Sequence, residues 1–157
     1  MAMLAALSCH AGLLRAQDSI RHTVSVEIDV PHRTDMFQVI DIGGWSGQVQ
    51  QMAWDNARQR LLPLRRQLQL KSTGCMKASL SSRPRLSNRD NEIALGVWIG
   101  GLLLPEPGQG EADVVDAAGA PSGKVVELTI EPGVSTGGYR SGLYQGVISI
   151  LFEPGCS

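Results

Sequence analysis

A chain of 157 residues with 43% hydrophobic content and a formal net charge of -1 fits one domain with a real core. Its 14 basic and 15 acidic residues balance, which leaves no charge excess to draw it to nucleic acid or to an anionic membrane surface. Eighteen glycines and eight prolines punctuate short runs of Val, Ile and Leu, and long runs of period 3.6 are missing, so the composition argues against a helical bundle and predicts a β-sandwich or barrel.

Residues 2–14 form a mostly apolar run of signal-peptide length, too short to span a bilayer as a helix. Residues 1–17 are therefore read as an export signal, with a mature chain starting near Asp18; the alternative is a short N-terminal core helix. Removing the signal takes away Cys9 and leaves Cys75 and Cys156, an even pair suited to an oxidising compartment. A bridge closing about eighty residues would contribute roughly 4 kcal/mol in the chain-entropy model. Two free thiols, or an intermolecular link through Cys156, are the alternatives.

From Ile20 to Val30 the chain alternates strictly. Ile20, Val24, Val26, Ile28 and Val30 share one face, while Arg21, Thr23, Ser25, Glu27 and Asp29 share the other. His22 is the polar exception on the apolar face, expected at the rim of the core and partly exposed rather than ligating a metal. Pro31 ends the ladder. Met36–Ile42 is a second strand, closed by Gly43-Gly44. Residues 52–63 read as strand and loop, since Pro63 forbids an extended helix. Residues 64–72 and 75–80 alternate and are expected to be neighbouring strands. Residues 83–91 have loop composition, 93–104 strand composition, and the Gly- and Ala-rich stretch 105–123 suits a flexible surface loop. Lys124–Glu131 is the next strand.

The closing segment, residues 141–152, carries Gly146, Ile148, Ile150 and Phe152 on one side and Val147 and Leu151 on the other. Apolar residues on both faces predict a strand buried on both sides, inside a sheet rather than at its edge.

Chemistry-bearing constellations are scarce. His10, His22 and His32 are the three histidines, and His10 falls in the signal, so neither a three-His zinc site nor a His-activated nucleophile is easily built. Glu111, Asp113 and Asp116 cluster without the ligand spacing of a calcium loop. Gly108-Gln109-Gly110 lacks the third glycine of a dinucleotide loop. No catalytic residue, metal site or cofactor is expected.

Several segments, taken in order, resemble pilins of the alpha class of chaperone-usher fimbriae, the colonisation-factor-antigen I and cable-pilus type. His22-Thr-Val-Ser-Val-Glu-Ile-Asp29 looks like that family's mature N-terminal segment, Pro84-Arg-Leu86 its Pro-x-Leu loop, and Val97-Trp-Ile-Gly-Gly101 its Gly-Gly turn. Val126–Ile130 resembles its penultimate strand, and Gly142–Leu151 its closing Tyr-x-Gly-Val-x-Ser strand. The resemblance implies an incomplete immunoglobulin-like sandwich over residues 32–157 that lacks its final strand, preceded by a donor strand over residues 18–31. It implies plugs at Ile20, Val24, Val26 and Ile28, and an acceptor groove walled by Tyr144, Val147, Ile148, Ile150, Leu151 and Phe152. The implied partners are a periplasmic chaperone, an outer-membrane usher, neighbouring subunits and a host receptor, with the chain ending in a surface fimbria.

Cys75 and Cys156, and Thr73-Gly74 in place of a Thr-Asn-Asp turn, depart from the family's shaft subunits and leave a minor or tip-proximal place open. The rival reading is a secreted, self-complete adhesin or carbohydrate-binding sandwich. It would show an exposed platform from Trp45, Trp54 or Trp98.

Overall fold

The computed structural model describes residues 21–31, 34–134 and 138–156, and there it is all β with no helix. The expected export signal, Ile20, His10 and His32 lie outside the described residues. The strands in chain order are β1 (Arg21–Asp29), β2 (Phe37–Asp41), β3 (Val49–Met52), β4 (Trp54–Asp55), β5 (Arg60–Leu61), β6 (Leu64–Ser72) and β7 (Met76–Leu80). There follow β8 (Arg85–Ser87), β9 (Glu92–Ile99), β10 (Leu102–Leu103), β11 (Ala112–Val115), β12 (Ala120–Pro132) and β13 (Leu143–Pro154).

Strands β4 and β5 pair as a separate two-stranded sheet, and the other eleven strands form one continuous sheet that curls over on itself to make two layers. The first runs β11-β7-β13-β1-β3, with β8 sharing the β7 side of β13. The second runs β10-β9-β12-β6-β2. Strand β9 joins them: Glu92–Ala94 pairs with β8 in the first layer, and Leu95–Ile99 pairs with β12 in the second. Between the layers lies a single apolar cluster, with Val26, Leu86, Ile148, Ile150 and Phe152 facing Leu68, Leu70, Val97, Ile99 and Leu128. The β9–β10 turn needs two consecutive left-handed residues, which Gly100 (φ 57°) and Gly101 (φ 83°) adopt without a Cβ penalty.

Three expectations need correction. Strands β6 and β7 are not neighbours: β6 pairs with β12 and β2, and β7 with β11 and β13. Their connection crosses between layers, a choice that local alternation does not encode. Two stretches read as loops hold strands: 105–123 holds β11, whose Val114 and Val115 are buried, and 83–91 holds β8, whose Leu86 is fully buried. Finally, β13 is buried on one face only. Tyr144, Ile148, Ile150 and Phe152 point inward, while Leu143 and Val147 are about half exposed and Leu151 is intermediate.

Cys75 and Cys156 are joined, with their Cα atoms 5.1 Å apart. Beside the bridge the Gly155 N–H donates to the Cys75 carbonyl at 3.0 Å, so the end of β13 is fastened to the turn before β7. Two of the three clustered acids share Lys77: Glu111 pairs with its Nζ at 2.6 Å and Asp113 is its cross-strand partner, while the Asp116 carboxylate accepts from the Ala118 N–H at 3.0 Å.

Candidate assembly site

The candidate site is the slot along β13. The resemblance implies that this slot stands empty in a lone subunit, yet the chain's own β1 lies in it. Strand β1 runs parallel to β13 over its whole length, from Arg21↔Leu143 to Asp29↔Leu151. On its other side, His22–Ser25 pairs antiparallel with β3, and the Gly47 N–H donates to the Val26 carbonyl at 2.9 Å. The Thr23 hydroxyl adds a 3.4 Å bond to the Tyr144 carbonyl.

The alternation read from the sequence sets the inward residues. Val24 and Val26 are 1% and 0% exposed, and Ile28 and Val30 are partly buried against the same core. Full burial of each Val contributes roughly 1.5 to 3 kcal/mol. Past Ile28 the fit loosens, and a cleft of about 270 Å³ opens between Ile28, Val30, Val39, Asp41 and Ser46. Burial pushes the Asp41 carboxyl up, but bonds from the Ser46 N–H and hydroxyl, both 2.9 Å, outweigh it and hold the group below the usual carboxylate range.

On the β13 side, the inward wall is Tyr144, Ile148, Ile150 and Phe152, all within 1% of full burial. Val147 turns to solvent and does not line the slot. At Gly146, opposite Val24, a Cβ would come 2.1 Å from the Arg85 carbonyl oxygen. This glycine lets the β8 backbone cross close to β13.

His22 departs most from expectation, since it is 1% exposed rather than at a wet rim. Its ring is stacked between Tyr144, at 5.1 Å and 12°, and Trp54, at 5.9 Å and 10°. Tyr139 meets Trp54 edge-on at 5.5 Å and donates its hydroxyl proton to the Gly133 carbonyl at 3.0 Å. Sequence alternation puts His22 on the inward face, but the rings that enclose it arrive from β4 and β13.

The tryptophans form no platform. Trp45 is buried and donates from Nε1 to the Gln67 carbonyl at 3.2 Å; Trp54 belongs to the His22 stack. The Trp98 ring covers Gly96, where a Cβ would stand only 2.3 Å from it, so this indole supplies the packing that the glycine lacks. The distinguishing feature of the carbohydrate-binding alternative is thus missing among the described residues.

The site is thus the N-terminal strand of a β-sandwich, held by main-chain ladders on both sides with alternate apolar side chains in the core. The model of the CS1 type fimbrial major subunit family matches residues 20–153, and the chain belongs to that family. It is a structural subunit of a surface fimbria and interacts with other pilus subunits. No curated protein gives a significant sequence match. Among solved structures, the CooA pilin subunit from enterotoxigenic Escherichia coli is similar at a TM-score of 0.42 and 12% identity, over 85% of this chain and 97% of that one.

Proposed function

We propose that this subunit polymerises by donor-strand exchange: the segment Ile20–Ile28 of one copy enters the slot along β13 of the next. A periplasmic chaperone holds the slot before export, and an outer-membrane usher is where the strands change places. Ile20, Val24, Val26 and Ile28 are the plugs. Tyr144, Ile148, Ile150 and Phe152 form the wall, with Leu151 at its margin.

The observation that carries this reading is the direction of β1. In an immunoglobulin-like sandwich the final strand follows its predecessor through a hairpin and so runs antiparallel to it. The chain's own β1 occupies that position parallel to β13, an orientation slightly weaker per residue, and fills the far end of the slot incompletely. An antiparallel strand from another copy has room to do better. Such a joint uses different surfaces on the two copies, so it propagates as an open fibre. A chain with both a slot and a strand to offer can stand inside that fibre, whether in the shaft or near the tip.

The test is Val26→Asp in the mature protein. It places a carboxylate where exposure is zero, at a cost the strand cannot recover, so fibres disappear while the chaperone complex is retained. Normal fibres from this variant would rule out residues 20–28 as the donor.

A further inference from the structure

His22 stands out among the described residues as a buried side chain whose polar atoms, Nδ1 and Nε2, both lack a hydrogen-bond partner. Its register neighbours are Tyr144 on β13 and Met52 on β3, and its ring faces are covered by Tyr144 and Trp54. A neutral imidazole tolerates this enclosure at the cost of one unmet donor and one unmet acceptor. An imidazolium brings two donors and a full charge into a slot with nothing to receive them.

The titratable and charged groups of the surrounding elements offer no counter-charge. On β4, Asp55 is taken by Arg58 at 2.9 Å; on β9, Glu92 is taken by Arg85 at 3.0 Å. Asp90, Glu92 and Arg140 line the cleft that Tyr139 and Tyr144 share, Arg60 acts on Tyr139, and Arg21 on β1 itself points outward. None of them shifts His22, whose pKa is lowered by burial alone. Attraction of a cation to the two ring faces is present, but it is smaller than the lost hydration.

We propose that His22 is an acid-sensitive latch: protonation of its ring loosens β1 in the slot along β13, so that the slot is more often open to another strand. Docking requires the neutral ring, so it is fully favourable above the ordinary imidazole value of about 6.5. It weakens as pH falls below that value, because the undocked strand binds the proton more tightly. The effect on assembly rests on the strand-exchange reading, whereas the latch itself is a property of a single chain.

The experiment follows backbone amide protection factors of Val24 and Val26 in the purified monomer at pH 7.5 and 5.5. Linkage predicts a fall of about tenfold on acidification, when the docked ring stays neutral across the range. In His22→Phe, which keeps the stack and removes the titration, the fall is lost. A wild-type protein whose protection does not change, or a His22→Phe protein that shows the same fall, overturns the latch. Should His22→Phe fail to fold, ¹³C-labelled histidine in the wild type decides: a His22 ring that titrates normally while β1 stays protected is equally fatal. Fibre assays play no part in this reading, so failure of strand exchange and failure of the latch are separable.

Discussion

At the scale of single residues, a strand's alternation tells which side chains face in, but not what meets them there. Val24 and Val26 are legible because burying an aliphatic side chain needs only a dry surface. His22 is not, because its tolerance in the core depends on Trp54 and Tyr144, brought in by distant segments. Gly146 is the complementary case. Its sequence context suggests only a weakened strand, but its absent Cβ makes room for the Arg85 carbonyl. Gly146→Ala is expected to destabilise the fold by about 1 to 3 kcal/mol, the usual range for forcing atoms into a packed site. That corresponds to a Tm drop of roughly 3 to 9 °C. Gly74→Ala is the control, since its Cβ meets nothing within 4 Å and its φ is ordinary; it should stay within about 0.5 kcal/mol. Equal melting of the two variants would mean that β8 yields easily at its crossing with β13.

At the scale of elements, β1, β2 and β12 are legible, because each combines an apolar alternation with a Gly or Pro stop; β13 is legible as a strand but not in its one-sided burial. Strand β11 was hidden: Ala-Asp-Val-Val sits in a Gly- and Ala-rich run, and its pairing with β7 includes a register shift between Asp113 and Val115. Parallel pairing of β1 with β13 was equally hidden, since no local signal fixes which distant strand a segment joins. The bridge between Cys75 and Cys156 does fix such a pairing, because it fastens the last turn of β13 against β7. The double variant Cys75→Ser with Cys156→Ser should lose roughly 4 kcal/mol in the chain-entropy account. A denaturant midpoint well below that of the wild type, with a steeper slope because the uncrosslinked chain exposes more surface on unfolding, is the expected result. An unchanged midpoint would show that the ladder between β13 and β7 holds without it.

At the scale of the whole molecule, β1 is both part of the fold and the segment proposed to leave it. Were it removed, β13 would lose its ladder from Leu143 to Leu151 and β3 would lose the strand it pairs with. The buried Tyr144, Ile148, Ile150 and Met52 would then line an open edge, which is the kind of surface that drives aggregation. While tethered, β1 acts at an effective concentration of order millimolar, as short flexible linkers give. An incoming strand must therefore bind more tightly than β1 does, or arrive when β1 is released. A chain that starts at Pro31 isolates the balance. Alone it should aggregate on refolding, and a synthetic peptide of residues 18–31 should restore a soluble one-to-one complex. With free peptide at about a hundred times its Kd, the complex gains about 2.7 kcal/mol over the empty form. Hydrogen exchange or spin labels on that peptide would also report its direction along β13: an antiparallel peptide supports exchange between copies, and a parallel one means that the closed monomer already holds the preferred arrangement. A truncated chain that stays soluble and monomeric without peptide would remove β1 from the fold's requirements and, with it, the reason for a fibre built on strand replacement.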